Sequence, residues 1–227
     1  MTVLKALESN PLLMAMQPQE RENLAAQSRF AEAERGEAIW LHGATVDYFG
    51  LIVRGFIKMV RGNANGSDAT MEIMGPGQIF GLMGTIDGQG CPLSAVAVTR
   101  VQYVRVAKSG FIPMYEGNHR LKDALLKRLH LRYKQKMDLM AKMSSGKVEE
   151  RIGAILFILA DSYGTVHDGK VQLKIPLTRQ EISEMAGTTT ESTIRVMSRW
   201  QKEGLISTDR HVITLEDVPA LETIVAG

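Results

Sequence analysis

Residues 187–200, GTTTESTIRVMSRW, bring together polar side chains that can contact nucleic-acid bases. Thr189 and Thr190 can donate to phosphate oxygens or touch a thymine methyl group. Glu191 can accept a hydrogen bond from cytosine N4, and Arg195 can bond guanine O6 and N7 bidentately. Because Glu191 and Arg195 are four residues apart, a helix would place them on one face. The simpler interpretation is a surface ion pair worth roughly 0.2–0.5 kcal/mol.

Two threonines in this region precede a glutamate by three residues, which is the spacing of a helix capping box. The pairs are Thr178 with Glu181 and Thr188 with Glu191. In a capping box the threonine oxygen accepts from a backbone N–H while the glutamate reaches back to the cap. Gly187 allows a sharp turn between the two predicted helices, so the region predicts a helix-turn-helix, whose second helix enters the major groove of DNA. The inward faces would be formed by Ile182, Met185, Val196 and Met197.

Short elements surround this motif. Residues 148–164, VEERIGAILFILADSYG, predict an amphipathic to apolar helix that ends at its final glycine. A polar loop and then a strand at residues 171–175, VQLKI, are expected to follow. Residues 204–217, GLISTDRHVITLED, predict two short strands around Asp209–Arg210. Ser144–Lys147 predicts a flexible joint before the whole segment.

The N-terminal half has a different pattern. From about Glu37 to Val106 the apolar residues form short runs separated by glycines, which is typical of strands joined by tight turns. Several short strands at this spacing predict a sandwich or a barrel-like roll. The predicted turns lie at Gly43, Gly55, Gly62–Gly66, Pro76–Gly77 and Asp87–Gly90.

From about Asn118 to Met143 the pattern becomes that of one long helix with an apolar seam over three heptads. The seam favours a self-paired coiled coil, and the other interpretation is a helix packed on its own domain. Lys136 alone interrupts the seam. It would meet an anionic effector, a carboxylate of a partner chain or, in the favoured interpretation, solvent. The seam residues are Leu126, Leu129, Tyr133, Met140 and Met143.

Composition excludes several classes of protein. The 227 residues are 44% apolar and 23% charged with a net charge of +2, which is ordinary globular usage without an electrostatic lead. The longest apolar run, Ile152–Ala160, is too short to span a bilayer, and the N-terminus lacks the pattern of a secretion signal. A cytoplasmic protein without membrane contact is therefore expected. The single cysteine, Cys91, excludes an internal disulfide and a cysteine-based metal cluster.

Enzyme motifs are not supported. Residues 164–170, GTVHDGK, match a phosphate loop up to the lysine, but Val171 replaces the magnesium-binding serine or threonine and a helix is predicted before it. Residues 75–81, GPGQIFG, lack the spacing of a dinucleotide fingerprint. The sequence has neither Gly-x-Ser-x-Gly nor His-Glu-x-x-His. We therefore expect the protein not to be an enzyme.

These features together resemble the Crp/Fnr family of bacterial transcription regulators over nearly the full chain. The resemblance is most specific in residues 177–206, LTRQEISEMAGTTTESTIRVMSRWQKEGLI, and includes the glycines of RGEAIWLHG, FGLIVRG and GPGQIFG. It implies an α+β fold of three parts. An N-terminal cyclic-nucleotide-binding-like β-roll would occupy residues 1–117, a long central dimerisation helix residues 118–145, and a C-terminal winged helix-turn-helix residues 146–227.

The resemblance also implies roles in the helix-turn-helix. Glu191 and Arg195 lie at the family's base-reading positions, and Arg179 and Gln180 lie at the start of the first helix, where backbone phosphates are contacted. Ile194 stands where the family usually has a small or polar residue, so either it packs on a thymine methyl or the helix is slightly rotated. The expected DNA-contacting residues are Arg179, Gln180, Thr189, Thr190, Glu191, Ile194, Arg195 and Arg199.

For the sensor, the resemblance points away from cyclic AMP. In the family's cyclic-AMP-binding members a glutamate takes the ribose hydroxyl and an Arg-Ser-Ala signature supplies the arginine for the phosphate. Here Leu82 stands at the position of the glutamate and Leu93 at that of the arginine, and burying a phosphate without a cation is costly. Lys136 and Met137 would lie near the adenine. The expected pocket residues are Leu82, Met83, Cys91, Leu93, Ser94, Lys136 and Met137.

Other effectors stay open. One cysteine cannot hold an iron–sulfur cluster. A haem would find His42, His119, His130, Met83 and Cys91, although no pair has a distinguishing spacing. Cys91 is either a redox-sensitive thiol or, more simply, a plain loop cysteine. An apolar or unusual ligand, a different nucleotide and no ligand at all are the further options.

The sequence thus predicts a homodimeric transcription regulator that binds a near-palindromic site in double-stranded DNA without cyclic AMP. By family analogy alone, the segment Tyr163–Lys170 would contact RNA polymerase. The alternative is a ligand-binding or protein-interaction module whose helix-turn-helix does not read DNA.

Overall fold

The structure is a computed structural model that describes residues 1–62 and 68–226. It has two compact units. The first comprises Met1–Arg61 and Glu72–Tyr133, and the second comprises the chain from Lys134 onward with the described residues of 62–71. Of the predicted turn at Gly62–Gly66, only Gly62 lies within the described residues.

The first unit is built on two four-stranded sheets with the strand orders β1-β8-β3-β6 and β2-β7-β4-β5. In the first sheet, Leu51 pairs with both Val104 and Ile79, so that apolar side chains share one face. The short strands predicted between about Glu37 and Val106 are confirmed, whereas β1 lies before that region and was not predicted. The strands are β1 Arg29–Ala33, β2 Ala38–Trp40, β3 Tyr48–Arg54, β4 Ile57–Gly62, β5 Asp68–Met74, β6 Ile79–Phe80, β7 Ser94–Ala97 and β8 Val101–Ala107.

Helices cover the outer face of the first sheet. They are α1 Val3–Glu8, a 3₁₀ turn at Leu13–Ala15, α2 Pro18–Ala26, the short α3 Leu82–Asp87 and α4 Lys108–Gly117. One apolar core lies between these helices and the sheet, and a second is formed by residues of both sheets, among them Trp40, Ile57, Phe80 and Tyr103. The sequence analysis did not anticipate α1, α2 or α4.

The long helix α5 spans His119–Ser145, which confirms the predicted long central helix. Its first apolar residues, Leu121 and Leu125, are buried in the first unit. Farther along, the predicted seam residues Leu126, Tyr133 and Met140 are all more than 60% exposed in the single chain. Leu129, another predicted seam residue, packs instead against the core of the first unit. The apolar stripe of α5 that no described residue covers is therefore formed by Leu126, Tyr133 and Met140.

The second unit combines helices with a sheet in the order β11-β12-β10-β9. Trp200, Ile152 and Met197 are fully buried at its centre. Its elements are α6 Val148–Tyr163, β9 Gly164–His167, β10 Lys170–Leu173, α7 Arg179–Met185, α8 Thr190–Lys202, β11 Ile206–Asp209, β12 Val212–Leu215 and α9 Val218–Ala226. A β-sheet domain, a long helix and a helix-turn-helix thus follow one another in the predicted order, and the α+β fold class is confirmed.

The polar loop predicted after α6 is wrong, because Gly164–His167 forms strand β9. Val166 pairs with Val171 and His167 with Lys170, so Asp168 and Gly169 form a two-residue hairpin loop. Both have positive φ, 49° and 77°, as a tight hairpin turn requires. The Asp-Gly dipeptide was the sequence signal for this hairpin. The phosphate-loop pattern of residues 164–170 therefore lies in a hairpin and does not lead from a strand into a helix.

Candidate nucleic-acid interface and ligand cavity

Helix α7 begins with the predicted capping box. The Thr178 Oγ1 atom accepts a hydrogen bond from the Glu181 backbone N–H at 3.1 Å, and the Glu181 carboxylate accepts from the Thr178 N–H at 2.8 Å. Two backbone donors that would otherwise be left over at the helix start are satisfied in this way. The prediction for Thr178 and Glu181 is confirmed.

The second capping box, between Thr188 and Glu191, is wrong. The cap of α8 is Thr189, whose Oγ1 accepts from the Ser192 N–H at 3.1 Å. Thr188 instead continues the turn, because its N–H donates to the Ser183 carbonyl at 3.0 Å. The Glu191 side chain is therefore not used as a cap and is exposed at the start of the helix.

The turn between α7 and α8 is held by two contacts. Gly187 has a φ of 58°, a left-handed conformation that glycine adopts without strain. An arginine of α6, Arg151, donates from Nη1 to the Gly187 carbonyl at 3.0 Å. The hydroxyl groups of Ser183 and Thr190 lie 3.2 Å apart across the two helices. Thr190, predicted to contact DNA, thus also joins α7 to α8, and the sequence analysis missed Arg151.

The solvent face of α8 presents Glu191, Ile194 and Arg195 side by side. All three are exposed, Ile194 by 48%, whereas Thr193 is fully buried and donates to the Thr189 carbonyl at 3.1 Å. Within the described residues, neither the Glu191 carboxylate nor the Arg195 guanidinium has a hydrogen bond or an ion pair. The surface ion pair considered for these two side chains is therefore not formed, and both have unused hydrogen-bonding capacity.

The other predicted DNA-contacting side chains are already engaged. Arg179 is half-buried and donates from Nη2 to Thr208 Oγ1 on β11 at 3.1 Å, and burial lowers the pKa of its guanidinium. Gln180 donates to Glu184 Oε1 at 3.0 Å. Arg199 forms an ion pair with Glu149 of α6. The contacts of Arg179 and Arg199 join different elements, whereas that of Gln180 lies within α7. Only part of each side chain's donor capacity is left.

The first unit contains a cavity of about 200 Å³ bounded by its strands, α3 and the first half of α5. Gly81 precedes α3 with a φ of 79°, and a Cβ atom there would lie 2.6 Å from the Trp40 ring, which forms part of the cavity wall. Of the predicted pocket residues, four line the cavity: Leu82, Met83, Cys91 and Leu93.

Three predicted pocket residues do not line the cavity. The Ser94 Oγ atom accepts from the His42 N–H at 2.9 Å. Lys136 does not line the cavity. Its Nζ atom donates to the Met71 carbonyl at 3.0 Å, so the expectation that this side chain is only solvated is wrong. Met137 lies on the following, exposed position of α5. The residues of α5 that line the cavity are thus one to two helical turns nearer the N-terminus than Lys136 and Met137, the residues that the resemblance implied.

Two arginines of α5 face the cavity, and the sequence analysis missed both. The Arg132 guanidinium and the Glu72 carboxylate form an ion pair at 2.6 Å. Burial, together with the positive charge of Arg132, lowers the pKa of Arg128. Leu125, Arg128, Leu129 and Arg132 recur at spacings of three and four, so helical periodicity was the signal that places these arginines on one face.

The thiol of Cys91 also lies in the cavity wall. It is 2% exposed, and burial raises the pKa of this thiol. A raised thiol pKa lowers the thiolate fraction at neutral pH, which favours the plain cysteine over the redox-sensitive one.

The described residues contain no cluster of three or more side chains suited to a metal ion. A search of the same residues for a membrane-spanning helix gives none of sufficient length and apolarity.

Two family models match this chain. A cyclic nucleotide-binding domain matches residues 30–118, and a Crp-like helix-turn-helix domain matches residues 150–224. The first match covers the strands of the first unit and the part of the cavity wall that precedes α5, and the second covers most of α6 to α9. Together the two matches cover most of the chain.

Relatives and solved structures agree with these matches. A CRP-like cAMP-activated global transcriptional regulator of Mycobacterium tuberculosis is 22% identical over 206 residues, 91% of this chain and 92% of that protein. A global nitrogen regulator of Synechococcus elongatus is 24% identical over 190 residues, 83% of this chain and 86% of that one.

The structure of FixK2 from Bradyrhizobium japonicum superposes with a TM-score of 0.78 at 18% identity, covering 88% of this chain and 98% of that one. The structure of a transcriptional regulator of the CRP family from Thermus thermophilus superposes with a TM-score of 0.69 at 22% identity, covering 87% of this chain and 97% of that one. Since both domains match in the family's order and the long helix α5 joins them, the chain belongs to the Crp/Fnr family of transcription regulators.

Proposed function

We propose that the protein is a homodimer that regulates transcription by binding a near-palindromic site in double-stranded DNA. One observation carries the proposal, namely the exposed face of α8 with Glu191, Ile194 and Arg195, on which neither charge has a partner among the described residues. In a major groove, Arg195 would bond guanine, Glu191 would accept from cytosine N4, and Ile194 would pack on a thymine methyl.

Dimerisation is supported by the uncovered apolar face of α5. Leu126, Tyr133 and Met140 repeat every seven residues and are exposed in the single chain, as expected of a seam that a second α5 covers. Two copies of α8 would then enter successive major grooves, about 34–36 Å apart, and contact two half-sites. Activity would take place in the cytoplasm, where the DNA is.

The proposal has two further parts. DNA binding is proposed to need no cyclic AMP, because Leu82 and Leu93 line the cavity at the positions where a carboxylate and a guanidinium would be needed. The β9–β10 hairpin, with the exposed Val166 near its tip, is proposed to contact RNA polymerase by analogy with the family.

Selection of DNA from a random library by the purified protein, without added ligand, tests the proposal. A palindromic site is expected, and its affinity, measured by fluorescence anisotropy, should not change with cyclic AMP. Arg195→Ala should weaken the selected site by roughly 5- to 150-fold, because a bidentate contact to guanine is worth about 1–3 kcal/mol. The matched control Arg100→Ala removes one exposed cation of the first unit and should change affinity little.

The alternative, a module that does not read DNA, predicts no enriched sequence at any ligand concentration. An Arg195→Ala variant with unchanged sequence preference would show that α8 is not the recognition helix. Rescue of binding by cyclic AMP would contradict the ligand-independent part of the proposal alone.

A further inference from the structure

The cyclic nucleotide implied by the matched N-terminal domain does not fit the residues of this cavity. Leu82 and Leu93 line it where the ribose and phosphate would need a carboxylate and a guanidinium. The one carboxylate in the wall, that of Glu72, already pairs with Arg132. A volume of about 200 Å³ is also below the roughly 300–1,000 Å³ typical of pockets for drug-sized ligands.

The cavity wall nevertheless carries an excess of positive charge. Its ionised side chains are those of Glu72, Arg128 and Arg132, so one positive charge remains after the Glu72–Arg132 pair is formed. Arg128 has no hydrogen bond or ion pair of its own within the described residues. A partly buried cation without a bonded partner is unfavourable, and one negative charge placed beside it would satisfy it.

The rest of the wall is apolar and partly aromatic. The Trp40 and Phe80 rings are stacked with centroids 4.9 Å apart, and Met59, Leu82 and Leu125 add aliphatic surface. An apolar cavity of about 150 Å³ is large enough for benzene. About 200 Å³ therefore accommodates a body the size of one ring together with a carboxylate.

We propose that this cavity binds a small organic monocarboxylate with an apolar, ring-sized body, held by Arg128 with Arg132 as the second cation. The carboxylate would accept hydrogen bonds from the Arg128 guanidinium, and the body would lie against Trp40 and Phe80. A neutral ligand would leave the excess charge in place, and a dianion would exceed it.

The two arginines belong to α5, the helix that also carries the proposed dimer seam. A ligand bound to Arg128 and Arg132 would therefore act directly on the element through which the two chains are proposed to pair, and would favour whichever arrangement of α5 it binds better. This regulatory consequence rests on the proposed function, whereas the binding itself does not.

Calorimetric titration of the full-length protein, without DNA, tests the binding. The probes are benzoate, 3-phenylpropanoate and hexanoate, and the neutral isostere is 3-phenylpropanamide. Saturable binding of at least one carboxylate is expected, with the matching amide at least tenfold weaker. Arg128→Gln should weaken carboxylate binding at least tenfold, and the matched control Arg100→Gln, far from the cavity wall, should leave it unchanged.

Two further variants keep the test decisive. Arg128→Lys retains the cation and should bind more tightly than Arg128→Gln, which separates loss of charge from loss of fold. Glu72→Gln removes the competing carboxylate and should bind several-fold more tightly than the unmodified protein. The proposal is overturned if none of the three carboxylates binds at millimolar concentration, if acid and amide bind equally, or if cyclic AMP binds more tightly than all of them. Because the titration contains no DNA, a lack of carboxylate binding can be distinguished from a lack of DNA recognition.

Discussion

The cavity and the exposed face of α8 use the same charged residue types in opposite ways. In the cavity, Glu72 and Arg132 are paired at 2.6 Å, and a second arginine adds to the charge. On α8, Glu191 and Arg195 are one helical turn apart, and neither is paired with a described residue. Partly buried charges need partners because desolvation is costly, whereas an exposed pair gains only about 0–1 kcal/mol. Solvation therefore leaves both α8 charges available to a ligand, whereas in the cavity only the one excess positive charge is available.

The first prediction, which has the greatest magnitude, tests whether the first unit stays folded when the second unit is destabilised. Trp200 is a fully buried residue on the inner face of α8, so Trp200→Ala should destabilise the second unit by about 3–5 kcal/mol. Chemical denaturation followed by circular dichroism measures this loss. DNA binding should disappear, while carboxylate binding in the first unit should persist.

Ile158→Ala is the control for this variant, because Ile158 is an exposed apolar residue of α6 and its removal should be nearly neutral. Equal loss of both ligand-binding activities in Trp200→Ala would show that the two regions do not fold as separable units.

The second effect concerns access to the cavity. Burial raises the pKa of the Cys91 thiol, so less of it is thiolate at neutral pH. We expect iodoacetamide to modify Cys91 more slowly than it modifies a free thiol at pH 7.5. The rate should rise with pH beyond the point at which a free thiol has reached its plateau. A bound carboxylate should slow it further, whereas DNA should not. A rate equal to that of an unfolded control would contradict the buried position of the thiol.

The third effect tests which threonine caps the helix that carries Glu191 and Arg195. Thr189→Ala removes the acceptor of the Ser192 N–H and should cost about 1 kcal/mol of unfolding free energy. Thr188→Ala is the matched control, since the Thr188 hydroxyl is not the cap. Equal losses for the two variants would restore the capping box that the sequence suggested.

These positions also show how far the sequence alone could lead. Glycine-separated apolar runs and the Thr178–Glu181 spacing report local geometry, so the strands, the long helix and the first cap could be predicted. The sequence alone could not predict which residues of α5 line the cavity. They depend on which turn of α5 packs against the sheets, and that packing brings Arg128 and Arg132 to the cavity in place of Lys136 and Met137. The start of α8 was missed by one residue because three successive threonines offer equivalent oxygens.

The smallest effect concerns Arg199, the cation that follows Arg195 by four residues on α8. Glu149→Gln removes the carboxylate that holds Arg199, and both side chains are more than a third exposed to solvent, so the pair contributes less than about 1 kcal/mol. The released Arg199 should raise DNA affinity about two- to threefold and steepen the salt dependence by up to about one counterion. Glu222→Gln, an exposed charge change on α9, is the control and should alter neither quantity beyond the general effect of one charge. Weaker DNA binding in Glu149→Gln would mean that the ion pair orients α8 for recognition.

The two tryptophans give each region its own optical signal. Trp40 stands in the cavity wall against Phe80, and Trp200 lies inside the second unit with an indole N–H that has no hydrogen-bond partner among the described residues. An indole without a polar neighbour emits at short wavelength and is out of reach of aqueous quenchers, whereas a ring in a cavity wall responds to whatever enters. Emission from the unmodified protein therefore reports cavity occupancy and the integrity of the DNA-binding unit as two spectrally distinct events, without any attached dye.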